Sequence, residues 1–341
     1  VRRAVFDMAD ARPSLRPPAD AAERLRAALG DGWRLEVVDE AASGVGDGAA
    51  ALSAAGLETA RGAEVYVGFG VPDALLDAAP DLRWAHTGAA GVGSVLTPRV
   101  RGGSFLLTNS AGIHGPPVAE TALAMILHFA RGLDVAVRAQ ARAEWDKRPF
   151  DAAPPLLREI GEATVGVFGY GGIGREVARR AGALGARVLA ARRRGNDAEP
   201  GVTLLTGTDR LERLLDESDY LVLCAPETDE TRGAIDGAAL ARMRPDAVLI
   251  NVARGGLVDE DALLDALRQG RLRGAGLDVF ATEPLPGEHA LWREPRVLIT
   301  PHVSSYGRGY WRRELALIED NIERYLAGRP LRNVVDRSAG Y

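Results

Sequence analysis

ATVGVFGYGGIG, residues 163–174, runs a short apolar, β-rich stretch directly into three spaced glycines. A helical pattern follows through Leu184, and Arg187–Ala191 (RVLAA) reads as a second strand. The G-x-G-x-x-G pattern thus lies between a strand and a helix inside a βαβ unit of about thirty residues, the context in which it binds a dinucleotide. Gly169 permits the tight turn, Gly171 lets the backbone approach a pyrophosphate, and Gly174 lets helix and strand pack closely. With Gly172 and Ile173 they bring backbone N–H groups at a helix N-terminus toward the phosphates.

The end of the second strand refines this expectation. A site for NAD carries an acidic residue about 20 residues after the glycines, where it accepts hydrogen bonds from the ribose 2′-OH. This chain has Arg192, Arg193 and Arg194 there. A carboxylate repels a 2′-phosphate, whereas guanidinium groups bind it through charge-assisted bonds. NADP(H) is therefore the expected cofactor, with NAD(H) as the alternative. A solvated run of surface arginines would look the same in so arginine-rich a chain.

Outward from this unit, strand–helix alternation continues to about Thr300. Upstream it begins at the first residues, with candidate strands Arg3–Phe6, Arg34–Val38, Glu64–Val67, Arg83–His86 and Phe105–Thr108. Ala19–Leu29 and Pro72–Ala79 have helical spacing between them. Such alternation implies parallel sheets covered on both faces. Glu40–Ala55 reads equally as a weak helix or a loop. Pro116 and Pro117 mark the start of one long helix reaching about Glu144, and Pro149–Pro155 reads as a linker. A last helix over Gly309–Ala327 puts Trp311, Leu315, Ile318, Ile322 and Tyr325 on one face, with Gly328 and Pro330 ending it.

Bulk properties exclude several classes. With 341 residues there is chain enough for two domains, and 46% hydrophobic with 26% charged residues is a globular profile. A net charge of −5 argues against nucleic acid as the main partner. One cysteine, Cys224, excludes a disulfide framework within the chain and any multi-thiolate metal site. It closes a strand-like run and is expected to be buried rather than reactive. The opening VRRAVFDMAD lacks the apolar core of a secretory signal, and the most apolar run, Thr121–Ala130, is about half a bilayer span. A cytoplasmic location without membrane contact is expected. His86, His114, His128 and His289 are expected to be structural, and no metal-ligand spacing is present.

Three later segments each end a predicted strand with a polar residue suited to chemistry: Val248–Gly256 (VLINVARGG), Gly274–Pro284 (GAGLDVFATEP) and Val297–Ser305 (VLITPHVSS). Ligands of open parallel sheets bind outside the C-terminal strand ends, so these residues should converge. From about Leu82 to Asp336 the sequence strongly resembles the D-isomer-specific 2-hydroxyacid dehydrogenase family. The resemblance implies that Arg254 of NVARG binds the substrate carboxylate and polarises the keto oxygen. It makes His302 of TPH the proton donor and Glu283 of TEP its carboxylate partner. The chemistry is coherent: hydride arriving at a keto carbon leaves charge on oxygen, which needs a nearby cation and a proton. An imidazole near neutral pKa, oriented by a carboxylate, supplies that proton.

The resemblance also places Ala90 and Gly91 of HTGAAGVG in the loop whose N–H groups hold the substrate carboxylate, although the family often has Asp where this chain has Gly93. It implies cofactor contacts from Ala225, Pro226, Thr231, Val252, Ala253 and Ser304. It sets Asp278 near the nicotinamide carboxamide, a position that would equally suit a loop cap. Asn109 falls at the predicted crossing between domains, and Trp145 resembles an aromatic that in some relatives reaches the neighbouring subunit's site.

The expected fold is α/β: a Rossmann-type nucleotide domain, residues 111–306, inserted in a smaller flavodoxin-like parallel α/β substrate domain made of 1–110 and the returning C-terminal helix and tail, 307–341. The expected function is hydride transfer between NADP(H) and a small 2-keto or D-2-hydroxy acid of the glyoxylate or hydroxypyruvate type, by a homodimer. Rival expectations are a phosphite or formate dehydrogenase on the same scaffold, or a nicotinamide-binding redox sensor. Glu283 disfavours formate chemistry, where the resembling enzymes carry Gln.

Overall fold

Aliphatic runs bounded by Gly, Asp and Pro become strands buried on both faces, the pattern that parallel sheets require. The computed structural model of the chain describes residues 1–41, 51–151, 155–193, 195, 197–338 and 340. These form two units, Val1–His114 with Tyr306–Tyr341, and Gly115–Ser305.

In the first unit, β1 (Arg2–Asp7), β2 (Trp33–Val37), β3 (Val65–Gly68), β4 (Trp84–Thr87) and β5 (Leu106–Asn109) form an all-parallel sheet in the order β2-β1-β3-β4-β5. This is the flavodoxin-like order. Its helices are α1 (Ala21–Leu29), α2 (Ala54–Thr59), α3 (Asp73–Ala78) and α4 (Pro98–Gly102). Ser53 and Thr97 cap α2 and α4 through their side chains, which satisfies a first-turn N–H in each. Alternation along the strands sends Val5, Tyr66, Ala85 and Leu107 into one core with Leu75 and Val100. Ala4, Phe6, Val67 and Trp84 enter the opposite one with Leu25 of α1. Most of the ambiguous stretch Glu40–Ala55, residues 42–50, lies outside the described residues; its end opens α2.

The second unit carries β6 (Thr164–Phe168), β7 (Arg187–Ala191), β8 (Val202–Leu205), β9 (Tyr220–Leu223), β10 (Val248–Asn251), β11 (Gly274–Leu277) and β12 (Val297–Ile299). They are parallel and ordered β12-β11-β10-β9-β6-β7-β8. The chain starts in the middle at β6, winds out to β8, then crosses to β9. The strand ends of β6 and β9 therefore form the switch point at which α/β sheets bind ligands. Helices α5 (Gly115–Ala130), α6 (Leu133–Ala141), α7 (Gly172–Ala183), α8 (Arg210–Glu217), α9 (Gly237–Arg242) and α10 (Glu260–Arg268) cover it. Ala122 and Ile126 of α5 and Val177 of α7 pack on Val165 and Val167, while Leu214, Leu240 and Leu263 cover the other face.

The single helix expected from Pro116 to about Glu144 is instead two, α5 and α6, ending at Ala141. The break is Gly132, whose φ of +62° lies in the left-handed region. A Cβ there would stand 2.8 Å from the Phe150 ring, so glycine is needed for space as well as conformation. Just past the break, Asp134 takes both terminal nitrogens of Arg273, at 2.7 and 2.9 Å, tying α6 to the entry of β11. Burial pushes the Asp134 carboxyl up, but the Arg273 bonds together with the charges of Arg273, Arg138 and His128 outweigh it and hold it below the usual range. A carboxyl held below its unfolded value stabilises at neutral pH and loses that contribution as pH falls from about 4 through the folded-state value. Asp134→Ala is expected to cost about 3 kcal/mol at pH 7, because the Arg273 charge is left half-buried. Urea midpoints of wild type and variant should converge toward pH 3; a constant gap would contradict the assignment.

α11 (Tyr310–Leu326) completes the first unit. Trp311, Leu315, Ile318 and Ile322 are buried along it and Tyr325 is half-buried. Its Glu319 accepts two bonds from Arg24 of α1, each 2.7 Å. Gly328, at φ +63°, follows the helix end.

Candidate active site

The glycine turn is built as its sequence demands. Gly169, after β6, has φ +103°, and a Cβ there would meet Ala225 N at 2.4 Å. The turn therefore presses against the exit of β9, where Ala225 and Pro226 stand. A Cβ on Gly174 would lie 2.1 Å from Gly169 O, so α7 closes onto the turn. Gly171 is the N-cap of α7 and offers no side chain to it. Among the described residues nothing lies within 4 Å of a Cβ placed on Gly171. The first-turn N–H groups, at Gly172, Ile173 and Gly174, stand at a positive helix end, which fits a dinucleotide phosphate. Thr231 closes the loop beyond Pro226 by donating to Pro226 O at 2.7 Å and accepting from Thr228 N at 2.8 Å.

At the end of β7, Arg192 donates to the Asp197 carboxylate at 2.6 Å. Arg175, from the first turns of α7, bonds the same carboxylate and lies over the Tyr170 ring at 4.7 Å. Arg193 reaches Glu230 at 3.1 Å, and Arg194 lies outside the described residues. Asp197's own backbone N–H, then the charges of Arg192 and Arg175, hold its carboxyl below the usual range. Two guanidinium groups thus gather one anion where a 2′-phosphate would come. Sequence reasoning found neither Arg175 nor Asp197 here; the helical position of Arg175, next to the last glycine, was the available signal for one of them.

The next three strand ends carry the candidate catalytic residues. After β10, buried Asn251 accepts from Ala253 N at 3.1 Å and donates to Arg254 O at 2.9 Å. This Asx-type turn fixes Val252, Ala253 and Arg254. The Arg254 guanidinium donates to Ala253 O at 2.6 Å. The β10 loop then touches the β11 loop: a Cβ on Gly255 would lie 1.8 Å from the Phe280 carbonyl carbon.

After β11, the Glu283 carboxylate accepts from Phe280 N at 2.9 Å through Oε1 and pairs with His302 Nδ1 at 2.6 Å through Oε2. An ionised carboxylate only accepts, so Nδ1 carries a proton toward Glu283, and Nε2 is the nitrogen turned away from it. Both side chains are partly exposed, at 46% for His302 and 34% for Glu283. His302 has φ +53°, a region uncommon for non-glycine residues and frequent at functional sites. Its backbone N–H donates to Asp278 O at 2.8 Å. Asp278, wholly buried, spends its carboxylate on the same loop. Oδ1 accepts from Thr300 Oγ1 at 2.6 Å and Val303 N at 3.0 Å, and Oδ2 from Ser304 N at 3.0 Å. These are the bonds of a loop cap. They set the His302 loop against β11.

Every strand of this sheet is parallel, so the loops bearing Gly169, Arg192, Ala225, Arg254, Glu283 and His302 stand on one sheet edge. Ala90 and Gly91 belong to the other unit, in the loop after β4. There Asn109 donates to Ala90 O at 2.8 Å, and Ser110 N to Ala89 O at 3.1 Å. Trp145 is 92% exposed. His86 is buried between Thr108 and Glu314, at 2.9 and 3.1 Å. Burial pushes the Cys224 thiol up to about 12. Among the described residues no helix is long and apolar enough to cross a membrane, and no three His, Cys, Asp or Glu side chains are grouped to hold a metal.

Comparison with known proteins bears on the same residues. The family described as D-isomer specific 2-hydroxyacid dehydrogenase, NAD binding domain, matches residues 123–304. A glycerate dehydrogenase of Methylorubrum extorquens is 33% identical over 285 residues, 82% of this chain and 88% of its own. A D-isomer specific 2-hydroxyacid dehydrogenase from Xanthobacter autotrophicus, solved with NADPH and MES, is 30% identical with a TM-score of 0.79, over 100% of this chain and 99% of that one. An NADPH-dependent glyoxylate/hydroxypyruvate reductase from Sinorhizobium meliloti, solved with NADP and sulfate, is 27% identical with a TM-score of 0.79, over 100% of both chains.

Proposed function

Because the chain belongs to the D-isomer-specific 2-hydroxyacid dehydrogenases, NAD(P)-dependent oxidoreductases of small hydroxy and keto acids, we propose that it works as an NADP(H)-preferring reductase of short 2-keto acids such as glyoxylate and hydroxypyruvate. The observation that carries the chemistry is the His302–Glu283 pair at the strand ends, with Arg254 held on the adjacent loop. When bound, the reduced nicotinamide supplies the hydride for the keto carbon. Arg254 binds the substrate carboxylate and draws charge toward the keto oxygen as it develops. His302, starting as the imidazolium, gives that oxygen the proton from Nε2 and keeps the one on Nδ1, which Glu283 holds. In the oxidative direction the same nitrogen accepts the hydroxyl proton.

The cofactor preference rests on Arg192. Its guanidinium is paired with the Asp197 carboxylate, and a 2′-phosphate, with higher charge and more acceptor oxygens, would take that carboxylate's place. Two similar proteins were solved with NADPH or NADP, which supports the preference. Initial rates with NADPH and NADH test it. Arg192→Ala is expected to raise KM for NADPH about 30-fold, equivalent to about 2 kcal/mol for a lost charge-assisted bond. KM for NADH should stay within about twofold, since NADH carries no 2′-phosphate. A wild-type enzyme that favours NADH would overturn the cofactor preference and leave the reaction class standing.

A further inference from the structure

Glu260 is the first residue of α10, behind an N-cap, Asp259, that already accepts from Ala262 N. A carboxylate in a first helical turn commonly faces water and the helix's own N–H groups. Glu260 instead reaches the neighbouring loop. Its Oε1 accepts from Ala281 N at 2.7 Å, and its side chain is only 13% exposed. Its Oε2 lies 3.6 Å from His289 Nε2. His289 Nδ1 accepts from Leu291 N, so the ring proton is on Nε2 and points at Glu260.

What Glu260 holds opens an exposed stretch between Phe280 and Leu285, which both pack on the core. Ala281, Thr282, Glu283 and Pro284 are all exposed. The Phe280–Ala281 peptide is gripped from one side by Gly255, where no Cβ fits, and from the other by Glu260. The next bond along is Phe280 N to Glu283 Oε1, and the next is Glu283 to His302. A continuous chain of bonds therefore runs from the start of α10 to the imidazole.

We propose that Glu260 is a positioning residue for the Glu283–His302 pair, fixing the loop that aims the carboxylate at Nδ1; this rests on His302 being the proton donor. Its effect is on the proton step and not on cofactor binding. Glu260→Ala is expected to lower kcat about tenfold, the scale of a small misplacement of a catalytic group. KM and fluorescence-measured Kd for NADPH should stay within about twofold. Glu260→Gln keeps an oxygen that accepts from Ala281 N and is expected to retain kcat within about twofold. His302→Asn is assayed alongside. If it retains turnover, the proton-donor assignment fails and the proposal with it. If it loses turnover while Glu260→Ala keeps wild-type kcat, the proposal alone is overturned. It is equally overturned if Gln fares no better than Ala, or if the loss of kcat matches a loss of NADPH-binding enzyme.

Discussion

His302→Asn is expected to lower kcat by about 10³, the range for removing a positioned general acid, while leaving KM for NADPH near its wild-type value. Asparagine is the informative substitution because of the backbone. His302 holds φ +53°, a conformation that asparagine tolerates and alanine resists. The loop should therefore keep its bonds to Asp278 through Val303 and Ser304. The variant loses the ionisable ring but not the fold around it. A variant with wild-type kcat would remove His302 from the mechanism.

Arg254→Gln is the second large effect. It is expected to reduce kcat/KM for the keto acid by about 10³, the upper range for one lost donor to a developing oxyanion. Part of the loss should appear in kcat, since charge on the keto oxygen grows only as hydride arrives. Asn251 sets the turn independently of the guanidinium, through Ala253 N and Arg254 O, so the loop should survive the change. Arg254→Lys should restore only a minor share, because a single ammonium cannot match a planar fork against a carboxylate. Steady-state kinetics with separate variation of keto acid and NADPH would show it. A rise confined to KM for NADPH would move Arg254 from the substrate to the cofactor.

Local chemistry decided what was legible in the sequence. The βαβ unit at residues 163–191 could be read because each glycine answers a need within one turn. Elements elsewhere fell within one or two residues of the expected ones wherever apolar periodicity was strong, as in β1 and α11. Gly132 was not legible: it stands within a long apolar pattern, and only the Phe150 ring behind it shows why the helix must break. Arg254, Glu283 and His302 could be singled out because each follows a strand in a motif, and the parallel sheet places strand ends together. The Glu283–His302 contact is a tertiary fact. Asp197 and Glu260 escaped notice because a carboxylate in a charged chain reveals nothing until its partner is known. For Asp278 the sequence left two roles open, and its bonds are those of the loop cap.

The most direct test of the central claim is the stereochemistry of the product. Hydroxypyruvate and NADPH are incubated with the wild-type protein, and the glycerate formed is resolved on a chiral column against NADPH consumed. Hydride delivered to one fixed face of the keto carbon predicts a single enantiomer, D-glycerate in a D-isomer-specific family, one molecule per NADPH oxidised, and none with His302→Asn on the same timescale. L-glycerate, a racemic product, or NADPH binding without consumption of any short 2-keto acid would contradict the account.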